Sequence, residues 1–192
     1  MPHDHVTALR LLAEGNRRFS EGQGRAGWTA EQRAASLEGQ QPWAAIVGCS
    51  DSRVPVEAVF DAGPGELFVV RTAGHVLAQA SLASLRFAVE NLGVRTVVVL
   101  GHEDCGAVKA TLAGGAPEWL SPITRHIRVE GLDPAKAPAD ADDPMLAVAV
   151  DEHVRDTVDE LVAFFAEADL GFDTPHVSGG AYKLASGEVQ WL

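Results

Sequence analysis

The run Arg95-Thr96-Val97-Val98-Val99-Leu100 has no alternation of polar and apolar residues, and most of it is β-branched. A short apolar run of this kind is a strand buried on both faces, which requires helices above and below a mainly parallel sheet. The rest of the chain supplies the parts. Apolar stretches at 43–48 and 66–71 predict two further strands. The C-terminal stretches 177–184 and 188–192, split by Ser186-Gly187, predict a strand with an antiparallel hairpin partner. Between them lie helical patterns. Val6, Leu9, Leu12 and Phe19 predict a helix over 4–20, docked on the domain or on a partner chain. Thr29 with Gln32 has the spacing of a capping box and opens a short second helix. Further helices are expected over 81–92, stopped by Gly93, and from Cys105 to Leu112. A short one is expected around Trp119, Ile123 and Ile127, and a long one over 145–168 with Val154, Val158, Leu161 and Phe165 on one face. The Asp/Pro/Ala-rich residues 131–144 read as a loop. Strands alternating with helices specify an α/β fold. We expect sheet order 2-1-3-4 plus a C-terminal antiparallel strand, flanked by helices. The 192 residues suit a single domain 1–192, with a helical arm over 1–36 and an α/β core over 43–192.

The ends of two of these strands carry the chemistry. The first is followed by Cys49-Ser50-Asp51-Ser52-Arg53, the third by Gly101-His102-Glu103-Asp104-Cys105. In an open α/β sheet, ligands bind beyond the carboxyl ends of strands where the strand order reverses. Order 2-1-3-4 sets the first and third strands side by side there, so the two motifs meet across about fifty intervening residues. Two thiolates and one imidazole make three ligands for zinc, and a fourth position left for water distinguishes a catalytic zinc from a structural one. Zinc in that setting lowers the pKa of bound water to about 7. Asp51 is close enough either to close the site as a fourth ligand or to orient the nucleophile. Arg53 can hold Asp51 in a charge-assisted pair and keep it off the metal. A closed Cys-His-Cys-Asp staple is the bland alternative.

Composition narrows the classes. The net charge of −12 argues against nucleic acid or an anionic membrane as partner. No apolar run reaches the length of a membrane span. The start Met1-Pro2-His3-Asp4-His5 does not read as a signal peptide, so a cytoplasmic location is expected. The two cysteines fit reduced metal ligands better than a disulfide. Cys49 and Arg53 are too close for a cysteine-phosphatase loop, and Gly63-Pro64-Gly65 lacks the third glycine of a dinucleotide loop. His126, His153 and His176 have no paired ligand nearby and read as surface or satisfied polar residues. The acidic stretch 133–143 reads as a solvated loop with no EF-hand spacing.

With these residues assembled, the chain resembles the β-class carbonic anhydrases. The likeness runs through 8–19, Cys49 to Pro55, Gly65 to Gly74, Gly101 to Ala107 and Gly180 to Gly187. It implies reversible hydration of CO2 to bicarbonate and a proton by a zinc-bound hydroxide, with one zinc per chain. It also implies a homodimer or homotetramer in which the N-terminal helix serves dimerisation. By motif, Cys49, His102 and Cys105 correspond to the zinc ligands, and Asp51 and Arg53 to the catalytic pair. Gln40, Phe68, Phe87 and Gly106 correspond to the substrate pocket, Gln40 reaching across the dimer. Phe87 replaces a tyrosine of some members, and His75 an asparagine of many. Relatives acting on carbon disulfide or carbonyl sulfide share the zinc core, and a non-catalytic zinc module is the other alternative. In one bacterial branch, bicarbonate closes the site from a second pocket built of tryptophan, arginine and tyrosine. Here the matching residues are Ile46, Arg71 and Tyr182, so an anion site survives only in part and no cooperative inhibition is expected.

Overall fold

The computed structural model describes residues 4–24, 28–129 and 144–192. The expected loop at 131–144 and the acidic stretch 133–143 therefore lie almost entirely outside the described residues. Five strands form one sheet in the order β2-β1-β3-β4-β5. They are β1 (Ala44–Cys49), β2 (Leu67–Thr72), β3 (Thr96–His102), β4 (His176–Tyr182) and β5 (Val189–Trp191). The pairs β1–β2, β1–β3 and β3–β4 are parallel, and only β4–β5 is antiparallel, as the sequence pattern requires. Every residue of β1 and β3 is buried, which explains why both read as apolar runs without alternation.

Helices cover both faces. On one side lie α1 (His5–Ser20) and the single turn α3 (Val56–Val59), where Leu12, Val56, Val59 and Phe60 pack on Ile46, Val98 and Leu100. On the other lie α4 (Gln79–Asn91) and α7 (Pro144–Glu167), where Leu85, Val89, Val154, Leu161 and Phe165 pack on Ala45, Val47, Val97 and Val99. The remaining helices are α2 (Ala30–Ala35), α5 (Gly106–Ala113) and α6 (Ser121–Thr124). Thr29 and Gln32 complete the expected capping box, each side chain accepting from the other's backbone N–H at 3.2 and 2.9 Å.

Two local devices set the helix positions. Asn16 of α1 is buried, and its amide donates to the carbonyls of Val59 and Gly187 and accepts from the Val189 N–H. That one side chain ties α1 to its own core and to the β4–β5 turn. On the opposite face, α7 settles against glycines. A Cβ on Gly101 or Gly179 would sit 2.4 or 2.6 Å from the methyls of Val154. The bare backbone of β3 and β4 thus lets α7 approach closely, and with it His153, one residue before Val154.

Candidate metal centre

The β1–β3 pairing brings the two motifs together. Cys49, the last residue of β1, pairs with Thr72 of β2, and the Ser50 N–H continues the ladder to the Thr72 carbonyl. His102 ends β3 opposite Tyr182 of β4, and Glu103 N–H donates to the Tyr182 carbonyl at 3.0 Å. Asp104 then turns the chain with φ of 56°, and Cys105 is the N-cap residue of α5. The ligand atoms of Cys49, His102 and Cys105 all lie within 4.8 Å of one another, and all three residues are buried.

The donor set fits a zinc ion. His102 Nδ1 lies 2.7 Å from the Glu103 carbonyl, which can only accept, so Nδ1 carries the proton. Nε2 is left as a buried lone pair without a hydrogen bond. That is the arrangement of a metal-ligating imidazole oriented by a backbone partner. The Cys49 sulfur accepts from two backbone N–H groups, Gly74 at 3.2 Å and Asp51 at 3.4 Å. The neighbouring Cys105 thiol, against the effect of burial, shifts Cys49 well below the usual thiol range. The Asp51 and Gly74 N–H groups act in the same direction. Cys49 beside it, together with burial, shifts the Cys105 thiol up. A metal binds the thiolate form, so a lowered Cys49 suits a ligand role. Both cysteines are free of disulfide.

Asp51 and Arg53 meet as a fork. Arg53 Nε and Nη2 donate to the two carboxylate oxygens of Asp51 at 3.0 and 2.7 Å, and the Arg53 backbone N–H adds a third bond at 2.9 Å. These bonds hold the Asp51 carboxyl at about 2, below the usual carboxylate range, despite its partial burial. Its Oδ2 stands 3.9 Å from His102 Nε2, facing the metal position. Arg53 also reaches the other motif, donating to Asp104 Oδ2 at 2.9 Å and to the Asp104 carbonyl at 3.2 Å. Lys109 pairs with the remaining Asp104 oxygen. Sequence reasoning did not single out Asp104 or Glu103. Glu103 orients His102 through its carbonyl, while its side chain accepts from Leu184 N–H and pairs with Lys183.

The other expected site residues are placed as follows. Arg71 donates from Nε to the Cys49 carbonyl and from Nη2 to the Asp51 carbonyl, at 2.8 and 2.7 Å, so it braces the Cys49 loop from behind. Tyr182 is buried at the end of β4, with Phe19 of α1 beside its ring. Gly106 opens α5 directly after Cys105, with open space where a Cβ would point. Phe68 is half-buried in β2, and Phe87 stands on an exposed part of α4. Gln40 lies apart, in a polar groove with Gln32, Ser36 and Glu66. His176 is exposed and stacks on His5. His153 is fully buried rather than superficial, and only one of its ring nitrogens is bonded. It falls on the Leu146, Val150, Thr157 and Leu161 stripe of α7, a periodicity that the sequence displays.

Comparison with known proteins adds a consistent set of relatives. A family model described as carbonic anhydrase matches residues 44–189. A carbonic anhydrase of Mycolicibacterium smegmatis is 39% identical, over 99% of this chain and 95% of its own length. A β-carbonic anhydrase of Aspergillus fumigatus superposes with a TM-score of 0.66 at 27% identity, over 97% of this chain and 89% of its own. A β-carbonic anhydrase from Sordaria macrospora, one of two described as tetrameric, shares the fold with a TM-score of 0.70 at 21% identity, over 97% of each chain.

Proposed function

This chain belongs to the β-class carbonic anhydrases, and we propose that it carries out reversible hydration of CO2 to bicarbonate and a proton with one zinc ion per chain. The observation that carries this reading is the buried Cys49–His102–Cys105 cluster with Asp51 held beside it by Arg53. Cys49, His102 and Cys105 hold the metal. Zinc so bound supplies Lewis acidity, lowering the pKa of a water molecule to about 7.

The protein's own groups do the rest. Asp51, held near pKa 2 by Arg53, stays ionised at any working pH and is therefore only an acceptor. It accepts the hydrogen bond of the attacking water and so aims a lone pair at the substrate carbon. Arg53 keeps both carboxylate oxygens committed, which restrains Asp51 from turning onto the metal ligands. Arg71 fixes the backbone on which both Cys49 and Asp51 sit. Gly106 leaves room beside Cys105 for a small linear substrate.

The assembly is a homodimer or a pair of dimers. Val6 and Trp28 on the N-terminal arm and Leu37 just after it are large apolar side chains left exposed, where a partner chain would pack. Gln40, remote from its own Cys49 loop, then serves the neighbouring site. Free buried thiols suit a reducing compartment such as the cytoplasm. Among the described residues, no helix is long and apolar enough to cross a membrane.

The test is stopped-flow CO2 hydration with metal analysis on the parent chain and on Cys105→Ser. The parent should hold about one zinc per chain and turn over, while the variant should lose both metal and activity. Full zinc content in the variant, or a zinc-loaded parent that leaves CO2 untouched, would refute the assignment.

A further inference from the structure

Behind the metal centre, two buried imidazoles have no place in the mechanism above. The rings of His75 and His153 stack with centroids 4.2 Å apart and planes 23° apart. His75 sits in the short 3-10 turn Ala73–His75 that follows β2, and His153 comes from the middle of α7. Both nitrogens of His75 and Nδ1 of His153 are without hydrogen bonds. His153 Nε2 lies 2.8 Å from the Gly74 carbonyl. A carbonyl only accepts, so Nε2 carries the proton of this ring, which burial keeps neutral.

The turn held by this bond is unusual. Gly74 and His75 both have left-handed backbones, with φ of 64° and 46°. Glycine tolerates this, but histidine does not adopt it freely. Rotating the peptide between Gly74 and His75 would relieve His75 while swinging the Gly74 carbonyl away. The His153 N–H opposes that rotation, and the stacked His75 ring closes over it. The Gly74 N–H, on the other side of the same residue, donates to Cys49 Sγ. The position is also sterically fixed, since a Cβ on Gly74 would fall 2.8 Å from Ala107 Cβ in α5.

We propose that His153 is a positioning residue for the metal centre: its Nε2–H pins the Gly74 carbonyl, which keeps the Gly74 N–H aimed at the Cys49 sulfur. α7 thereby reaches the thiolate through one turn of backbone, and the His75 ring completes the clamp by stacking. The inference rests on the zinc assignment. Partners of this outer layer commonly carry 10–100-fold of metal affinity.

The experiment measures zinc affinity by chelator competition for the zinc-loaded full chain, its His153→Phe variant and its His153→Gln variant. Phe preserves the ring stack without the N–H. Gln places an amide N–H at about the same reach. The expected result is zinc bound roughly 10–100-fold more weakly by Phe, with most of the loss recovered by Gln. A folded Phe variant that binds as tightly as the parent overturns the proposal, and so does an equal loss in both variants, which would reduce His153 to packing. If the Phe variant does not fold, the parent decides alone. Nitrogen-15 NMR should show His153 as the Nε2–H tautomer, and cadmium-113 in place of zinc should couple to the Gly74 amide proton. An Nδ1–H tautomer, or no coupling to Gly74, overturns it. A parent that binds no zinc refutes the metal assignment itself, a result distinct from a parent and Phe variant of equal affinity.

Discussion

Asn16 offers the sharpest test of how the fold supports the site. Its amide joins three remote segments, donating to Val59 O at 3.2 Å and Gly187 O at 2.8 Å and accepting from Val189 N at 2.8 Å. The residue is 7% exposed, so water does not replace these bonds. Asn16→Leu keeps the branched shape and heavy-atom count and leaves two carbonyls and one N–H without these partners. An unsatisfied buried group costs about 1–3 kcal/mol. Three at about 2 kcal/mol each sum to about 6 kcal/mol, and the gain from burying an apolar side chain offsets about 1.5–3 kcal/mol. The expected net loss is about 2–5 kcal/mol, a large share of the ~5–15 kcal/mol that holds a domain folded. Equilibrium urea unfolding at fixed protein concentration with saturating zinc measures it. Asn16→Asp is the control, because it keeps the acceptor for Val189 and turns the donating NH2 into one oxygen facing two carbonyls. It should be destabilised at least as much as the Leu variant. A Leu variant within about 0.5 kcal/mol of the parent, the range of ordinary surface changes, would refute the reasoning.

Three further outcomes follow from the site. Arg53→Ala removes both guanidinium bonds, freeing Asp51 Oδ2 and leaving Oδ1 only the backbone N–H, and should lower CO2 turnover about 100-fold or more while zinc content stays full; near-normal turnover would remove the restraint argument. His75 is kept neutral by burial, with His153 and His102 nearby, so its folded pKa is depressed. The unfolded chain takes up a proton below about pH 6.5 and the folded chain does not, so stability is unaffected above that value. It falls below it by up to about 1.4 kcal/mol per pH unit. His75→Asn should flatten that part of the pH–stability curve, and identical slopes in parent and variant would count against it. Added bicarbonate at fixed pH and ionic strength should inhibit CO2 hydration only hyperbolically. Ile46 is buried between β2 and β3 without a donor, and Arg71 already spends Nε and Nη2 on the Cys49 loop. A steep sigmoidal loss of rate would contradict this.

Much of the architecture was legible because the information lay in side-chain patterning. β1 and β3 are buried on both faces, so their apolar runs had no competing interpretation. The three candidate ligand residues stood at or just past the ends of those strands, where topology alone predicts convergence. The capping box of α2 was legible because both of its partners are side chains at fixed spacing. What escaped the sequence was chiefly main chain. The Gly74 and Asp51 N–H groups on the Cys49 sulfur, and the Glu103 carbonyl on His102, carry no residue-type signature. The left-handed backbone of His75 is uncommon for any residue but glycine and is held by the surrounding packing. His153 is a different case. Its place on the inner stripe of α7 was visible as periodicity, but a lone histidine does not announce whether that stripe includes it.

The tie between the two ends of β3 and β4 also sets a timetable for making the protein. The loop that orients His102 is secured by residues near Tyr182 and Leu184, and the Glu103–Leu184 bond spans 81 positions. At ~5–20 residues per second, a ribosome takes roughly 4–16 s to supply that second half. During this lag Cys49, His102 and Cys105 exist on a chain whose β3 edge is still bare. Both thiols are then open to oxidants and to competing ions. The surroundings that orient His102 are therefore completed only once the chain has been made as far as Leu184.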